Sequence, residues 1–126
     1  AARSIKKVFL ELGGKSAFVA LDDADLGRAA PAAALAASRH AGQGCAFTTR
    51  LLVPRARYDD AVAAAAAAMD AVAVGDPADP ATVCGPLISA RQRDRVQGYL
   101  DLAVAEGGSI ARGGRRPPEL ARGGSA

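Results

Sequence analysis

The alternation of apolar and polar positions changes period several times along the chain. Lys6-Lys7-Val8-Phe9-Leu10-Glu11-Leu12 alternates weakly and reads as a strand. It stops at Gly13-Gly14, a pair that lets backbone pass close to a neighbour. Ser16 to Leu21 is a compact apolar run with the length of a buried strand. Asp22-Asp23-Ala24-Asp25-Leu26 reads as a helix start, where carboxylates accept free amide hydrogens and meet the positive end of the helix dipole. Capping explains these acids better than a metal site does. The helix is predicted to reach about Ser38, with Pro31 either kinking it or starting a second helix.

His40-Ala41-Gly42-Gln43-Gly44-Cys45 is a glycine-punctuated turn, and Thr48 to Val53 reads as a strand stopped by Pro54. Tyr58, Val62, Ala65, Met69 and Val72 recur at spacings of four and three, one stripe of an amphipathic helix. Gly75-Asp76-Pro77 closes it, and Ala78 to Ile88 is a proline-rich connection. Ser89 with Gln92 fits a capping box ahead of an apolar face of Val96, Tyr99, Leu100, Ala103 and Val104. Gly107-Gly108 ends that helix before a short strand candidate at Ser109 to Ala111. Gly113 to Ala126 has no periodicity. The order strand, helix, strand, helix, helix, short strand favours an α/β fold with a mainly parallel sheet.

Composition qualifies this picture. Half of the 126 residues are hydrophobic, but 32 residues are alanine, and Val, Ile, Leu and Phe together number 26. Alanine contributes little area at roughly 25 cal/mol per Å². Such a chain forms helices readily and holds them together poorly, which reads as a piece of a larger protein. The net charge of +3 traces mainly to Arg112, Arg115, Arg116 and Arg122. These sit among Gly and Pro rather than among aromatics or on a helix face, so a solvated loop is the better reading than a nucleic-acid surface. The N-terminus has no apolar stretch of signal-peptide type, and the run Ala61 to Met69 is too short to span a bilayer. The expected setting is cytoplasmic, without membrane partners.

Two short segments stand out as chemistry: Leu10-Glu11-Leu12-Gly13-Gly14-Lys15-Ser16 and Gly42-Gln43-Gly44-Cys45. Glu11, in an apolar strand before paired glycines, is either salt-bridged or held with a raised pKa as a general base needs. Gly14-Lys15-Ser16 looks like the end of a phosphate loop, but the earlier glycine of that motif is missing. Cys45 has small neighbours that admit a ligand, although a free cysteine is more often buried and inert. Cys84 beside Gly85-Pro86 is a weaker candidate, and His40 reads as a helix-end cation. Two distant cysteines and one histidine lack metal-ligand spacing. A Cys45–Cys84 disulfide and two free thiols are both compatible with the sequence.

Both segments resemble signatures of the aldehyde dehydrogenase superfamily, the glutamate signature in its form LELGGKS and the cysteine signature GQxC. Glu11 and Cys45 stand 34 residues apart, the separation usual in that superfamily, with its DDADL stretch at Asp22 to Leu26 between them. Thr49-Arg50, Tyr58-Asp59, Gly75-Asp76-Pro77, Gly85-Pro86, Gly98-Tyr99 and Glu106-Gly107 continue the likeness. The resemblance implies an α/β fold, a partial aldehyde dehydrogenase catalytic domain with a Rossmann-like parallel sheet and flanking helices. Residues 1–10 would end the cofactor-binding domain, and 11–126 would be the N-terminal, incomplete part of the catalytic domain.

It also implies NAD or NADP as cofactor and a small-molecule aldehyde as substrate. Cys45 would be the nucleophile and Glu11 the base that hydrolyses the resulting thioester. Leu12 and Gly13 would lie beside the nicotinamide. The Cys45 amide would hold the oxyanion with an asparagine from upstream, and Ala46 and Phe47 would line the substrate tunnel. The full-length protein would be a homo-oligomer, and the isolated fragment inactive. The competing readings are a non-catalytic or degenerate piece, a CoA-acylating relative (disfavoured by Glu11), and a redox protein using Cys45 and Cys84.

Overall fold

The computed structural model describes residues 2–115; the aperiodic tail from 116 onward, with Arg116 and Arg122, lies outside the described residues. Strands β1 (Ser16–Val19) and β2 (Thr48–Leu52) pair in parallel and are joined by helix α1 (Leu26–Ser38). Helices α2 (Tyr58–Asp70) and α3 (Ala90–Ala105) follow. The architecture is a small parallel sheet with flanking helices, a partial Rossmann-like domain.

The buried core is built largely of alanine: Ala20, Ala30 and Ala61 cluster around Leu26, with Leu51, Val53, Ala64 and Ala65 packed alongside. Small side chains let α1 and α2 approach closely, but each buries little area, so Leu26 carries a disproportionate share of the apolar stabilisation. α1 runs unbroken across Pro31, so the proline starts no second helix. Asp25 is the N-cap residue, but its side chain makes no capping hydrogen bond, contrary to expectation. Its carbonyl instead accepts from the Arg28 and Ala29 amides at 3.1 and 2.8 Å. The preceding loop is held from outside by Arg57, whose Nη1 donates to the Asp22 and Ala24 carbonyls at 2.9 and 2.7 Å.

The expected strand over Lys6–Leu12 does not form; residues 6–15 are without regular structure, and Phe9 and Leu12 are 88% and 75% exposed. A strand needs a partner to satisfy its backbone, and no neighbouring strand among the described residues offers one. The strand candidate Ser109–Ala111 fails for the same reason. α2 ends at Asp70 rather than Val72, its last turn closing through the Ala71 amide on the Ala68 carbonyl at 3.2 Å.

α3 begins as its sequence predicts, with Ser89 Oγ accepting from the Gln92 amide at 3.3 Å. It ends where Gly107 adopts φ +89°, the Gly107 amide donating to the Val104 carbonyl at 3.0 Å and the Gly108 amide to the Ala103 carbonyl at 2.8 Å. This double closure needs a left-handed residue that only glycine adopts without cost. No residue of α3 is buried. Between its last turns and the α1–α2 pair lies a mostly apolar cleft of about 520 Å³, at whose rim Arg112 pairs with Asp70. No helix among the described residues is long and apolar enough to cross a membrane.

Candidate active site

Because β1 and β2 run in parallel, the segments entering them arrive at the same edge of the sheet. Glu11 lies in the segment that enters β1, and Cys45 in the turn that enters β2. Ser16 and Thr48, the first residues of the two strands, are partners. Parallel pairing therefore brings the two segments that carry the candidate groups into the sheet at one end of it. It is the amino end, whereas open α/β sheets commonly bind ligands at the carboxyl end.

The turn before β2 is strained. His40 and Ala41 both have left-handed backbone, φ 48° and 54°, and Gly42 follows at φ 76°. Left-handed conformations cost non-glycine residues roughly 1–2 kcal/mol each, and such residues persist where surrounding structure holds them. Part of that support is visible. The His40 and Phe47 rings stack with centroids 6.3 Å apart and planes 2° apart. Gln43 Nε2 and the Gln43 amide both donate to the His40 carbonyl, each at 3.1 Å. Phe47 closes over Gly44, where a Cβ would stand 2.5 Å from the ring. An alanine at position 44 would force the Phe47 ring to shift.

Cys45, at the head of this turn, is an exposed free thiol, and Ala46 beside it is exposed as well. The Phe47 amide donates to the Gly44 carbonyl at 3.2 Å, while the Cys45 amide has no backbone acceptor among the described residues. Glu11, Leu12 and Gly13 are exposed, and Glu11 has no ion pair among the described residues. The salt-bridge reading of Glu11 therefore finds no support. A Cβ on Gly13 or Gly14 would meet nothing within 4 Å, so this exposed backbone is uncovered where a side chain would stand. Cys84 is also a free thiol, half-buried with its Sγ 3.7 Å from the Gly85 carbonyl. The two cysteines form no disulfide.

Sequence reasoning missed three contacts here. His40, just past the end of α1, also stacks on the Phe47 ring. Arg50 Nη2 donates to the Lys15 carbonyl at 2.5 Å, joining the two entry segments. Arg57 fixes the loop at the far end of β1. Nothing in the spacing of these residues marks their partners, which lie more than thirty residues away for both arginines.

The parallel sheet with its flanking helices agrees with what comparison with known proteins shows. The chain belongs to the aldehyde dehydrogenase family, whose model matches residues 1–125. It is 46% identical over 114 residues to geranial dehydrogenase of Castellaniella defragrans, covering 90% of this chain and 24% of that protein. Among solved structures, Mycobacterium tuberculosis aldehyde dehydrogenase complexed with NAD+ is similar with a TM-score of 0.87 and 48% identity, over 97% of this chain and 25% of that one. A Cys-to-Ala variant of aldehyde dehydrogenase C from Pseudomonas syringae, complexed with NAD+ and octanal, has a TM-score of 0.83 and 39% identity, over 91% and 24%. The chain spans about a quarter of the length of the relatives it matches.

Proposed function

We propose that this chain is the part of an NAD(P)-dependent aldehyde dehydrogenase that carries the covalent nucleophile, Cys45, and the hydrolytic base, Glu11. What supports the reading is that the segments bearing the two residues enter the same end of the parallel β1–β2 pair, with Cys45 exposed on a strained turn. Residues 1–10 are read as the end of the cofactor-binding domain and 11–126 as the opening part of the catalytic domain.

In this reading Cys45 Sγ, as thiolate, bonds to the aldehyde carbon, and the carbonyl oxygen becomes an oxyanion. The Cys45 amide, with no backbone acceptor among the described residues, is placed to donate to it. Leu12 and Gly13, both exposed, would be the residues of this chain that hold the nicotinamide. The chemistry supplied by bound NAD(P) is two-electron hydride acceptance. Cys45 then holds the acyl group as a thioester, and Glu11 takes a proton from the water that attacks its carbonyl. The C–S bond breaks, and the products are a carboxylic acid and the free thiolate. Glu11 favours water over CoA as the acyl acceptor. Geranial and octanal, named with two relatives, are the first aldehydes to try.

The test is iodoacetamide labelling of the full-length protein followed by intact mass, alongside NAD(P)-linked oxidation of these aldehydes. Selective labelling of Cys45 that removes activity, with Glu11→Gln also inactive, supports the reading. Labelling of Cys45 no faster than Cys84, with activity surviving Cys45→Ser, leaves the motif as a relic and the catalytic reading untenable.

A further inference from the structure

β2 does not hold uniform register with β1. Ser16 faces Thr48 and Ala17 faces Arg50, so Thr49 is the extra residue of a bulge at the entrance to the strand. Bulges re-aim the side chains beside them. Here the side chain beside the bulge is Arg50, five residues beyond Cys45. Its Nη2 donates to the Lys15 carbonyl at 2.5 Å. Lys15 directly follows Gly13-Gly14, and neither glycine has an atom within 4 Å of where a Cβ would stand. Among the described residues this is the one side-chain hydrogen bond that reaches the segment 6–15.

We propose that Arg50 is a positioning residue for the base: by fixing Lys15 to the strand that follows Cys45, it sets the pivot from which Gly13-Gly14 carry Glu11 to the acyl group. This rests on the reading of Cys45 as nucleophile and Glu11 as base. A guanidinium suits the role because a charge-assisted bond to a carbonyl is shorter and stronger than a neutral one. The two half-reactions depend on it unequally. Attack of Cys45 on the aldehyde makes no use of Glu11. Hydrolysis does: water oxygen bonds to the thioester carbon, one water proton passes to the Glu11 carboxylate, and the Cys45 C–S bond breaks. Releasing the Lys15 anchor therefore slows deacylation selectively.

The experiment uses the full-length protein with octanal and NAD+, comparing Arg50→Met and Arg50→Lys with the parent. Rapid mixing follows the first-turnover formation of NADH, steady-state assay gives kcat and KM, and intact mass measures acyl group on Cys45. The expected result for Arg50→Met is acylation within about twofold of the parent, while kcat falls on the order of tenfold to a hundredfold. Acyl-enzyme then accumulates, and KM for octanal does not rise. Arg50→Lys recovers part of the loss, because an ammonium still reaches a carbonyl, and it carries the comparison if the Met variant does not fold. Equal loss of acylation and deacylation, or no change in either, overturns the assignment while Cys45→Ser stays inactive. Aldehyde oxidation that survives Cys45→Ser overturns the catalytic reading itself, and the role of Arg50 with it.

Discussion

Gly44→Ala tests whether the turn carrying Cys45 is held by an aromatic ring rather than by special backbone geometry. Gly44 has no left-handed φ, so alanine there adds no backbone strain and any cost is steric. Its Cβ would stand 2.5, 2.6 and 2.7 Å from the Phe47 ring atoms Cζ, Cε2 and Cε1. Carbon atoms in contact prefer about 3.5–4.0 Å, so the ring must retreat by roughly 1 Å. Phe47 is half-buried and stacked on His40, so retreat gives up a ring pair worth about 0.5–1.5 kcal/mol. Overpacking of this kind costs about 1–3 kcal/mol. The Phe47 amide, bonded to the Gly44 carbonyl at 3.2 Å, reports directly on opening of the turn. Its hydrogen exchange in the full-length protein is expected to accelerate about 5–150-fold, the equivalent of 1–3 kcal/mol. In a Phe47→Ala background the methyl has room, and the same substitution is expected to be neutral within about 0.5 kcal/mol. Equal acceleration in both backgrounds, or none with Phe47 present, refutes the ring-held turn.

Leu26 is 4% exposed and is the one non-alanine side chain in the buried core of the described residues; Leu26→Ala is expected to cost about 2–5 kcal/mol, read as a lowered unfolding midpoint of the full-length protein. Arg57→Ala leaves the Asp22 and Ala24 carbonyls without their donor and is expected to cost about 2 kcal/mol, seen as increased protease cutting between β1 and α1. Gly107→Ala forces φ +89° on an alanine and is expected to fray the end of α3 by about 1 kcal/mol, measurable as faster exchange of the Gly108 amide. Arg112 pairs with Asp70 at the exposed surface, and its hydrogen bond and charge attraction to Asp70 raise its pKa. A raised folded-state pKa stabilises below the unfolded value and is lost only above the folded one, beyond any working pH. Because the pair is solvent-exposed and screened, Arg112→Ala is expected to shift the unfolding midpoint little, and to leave its dependence on pH unchanged over the working range, in a thermal titration.

Where the sequence was legible, the cause was local. The run Ser16 to Leu21, the stripe beginning at Tyr58, and Ser89 with Gln92 each specify their element within a few residues, and β1, α2 and the start of α3 lie where those patterns put them. Where it was not, the deciding partner was distant or missing. Lys6 to Leu12 has a strand's alternation, but alternation supplies no neighbour for its hydrogen bonds. The aspartates before α1 look like side-chain caps, yet their loop is organised by Arg57, whose bonds reach back more than thirty residues. The candidate site divides in the same way. Cys45 and Glu11 stand out as residues, and the glycines beside them announce a turn, but the His40–Phe47 stack and the Arg50 anchor follow only from three-dimensional packing.

The two candidate groups are supported very unequally, and the proposed chemistry gives that inequality a use. The cysteine turn is over-determined: a ring stack, a ring closed over Gly44 and a doubly used His40 carbonyl hold two strained left-handed residues in place. The glutamate segment is under-determined, with exposed residues, open glycines and one side-chain anchor at Lys15 among the described residues. A nucleophile that must meet a carbonyl carbon in line benefits from a fixed sulfur, because small misplacements are costly in rate. A base that acts only after the acyl group is in place must first leave room for substrate and cofactor, and then approach. A rigid cysteine and a pivoting glutamate therefore suit successive steps at one carbon, and stiffening the Gly13-Gly14 pivot should impair the second step before the first.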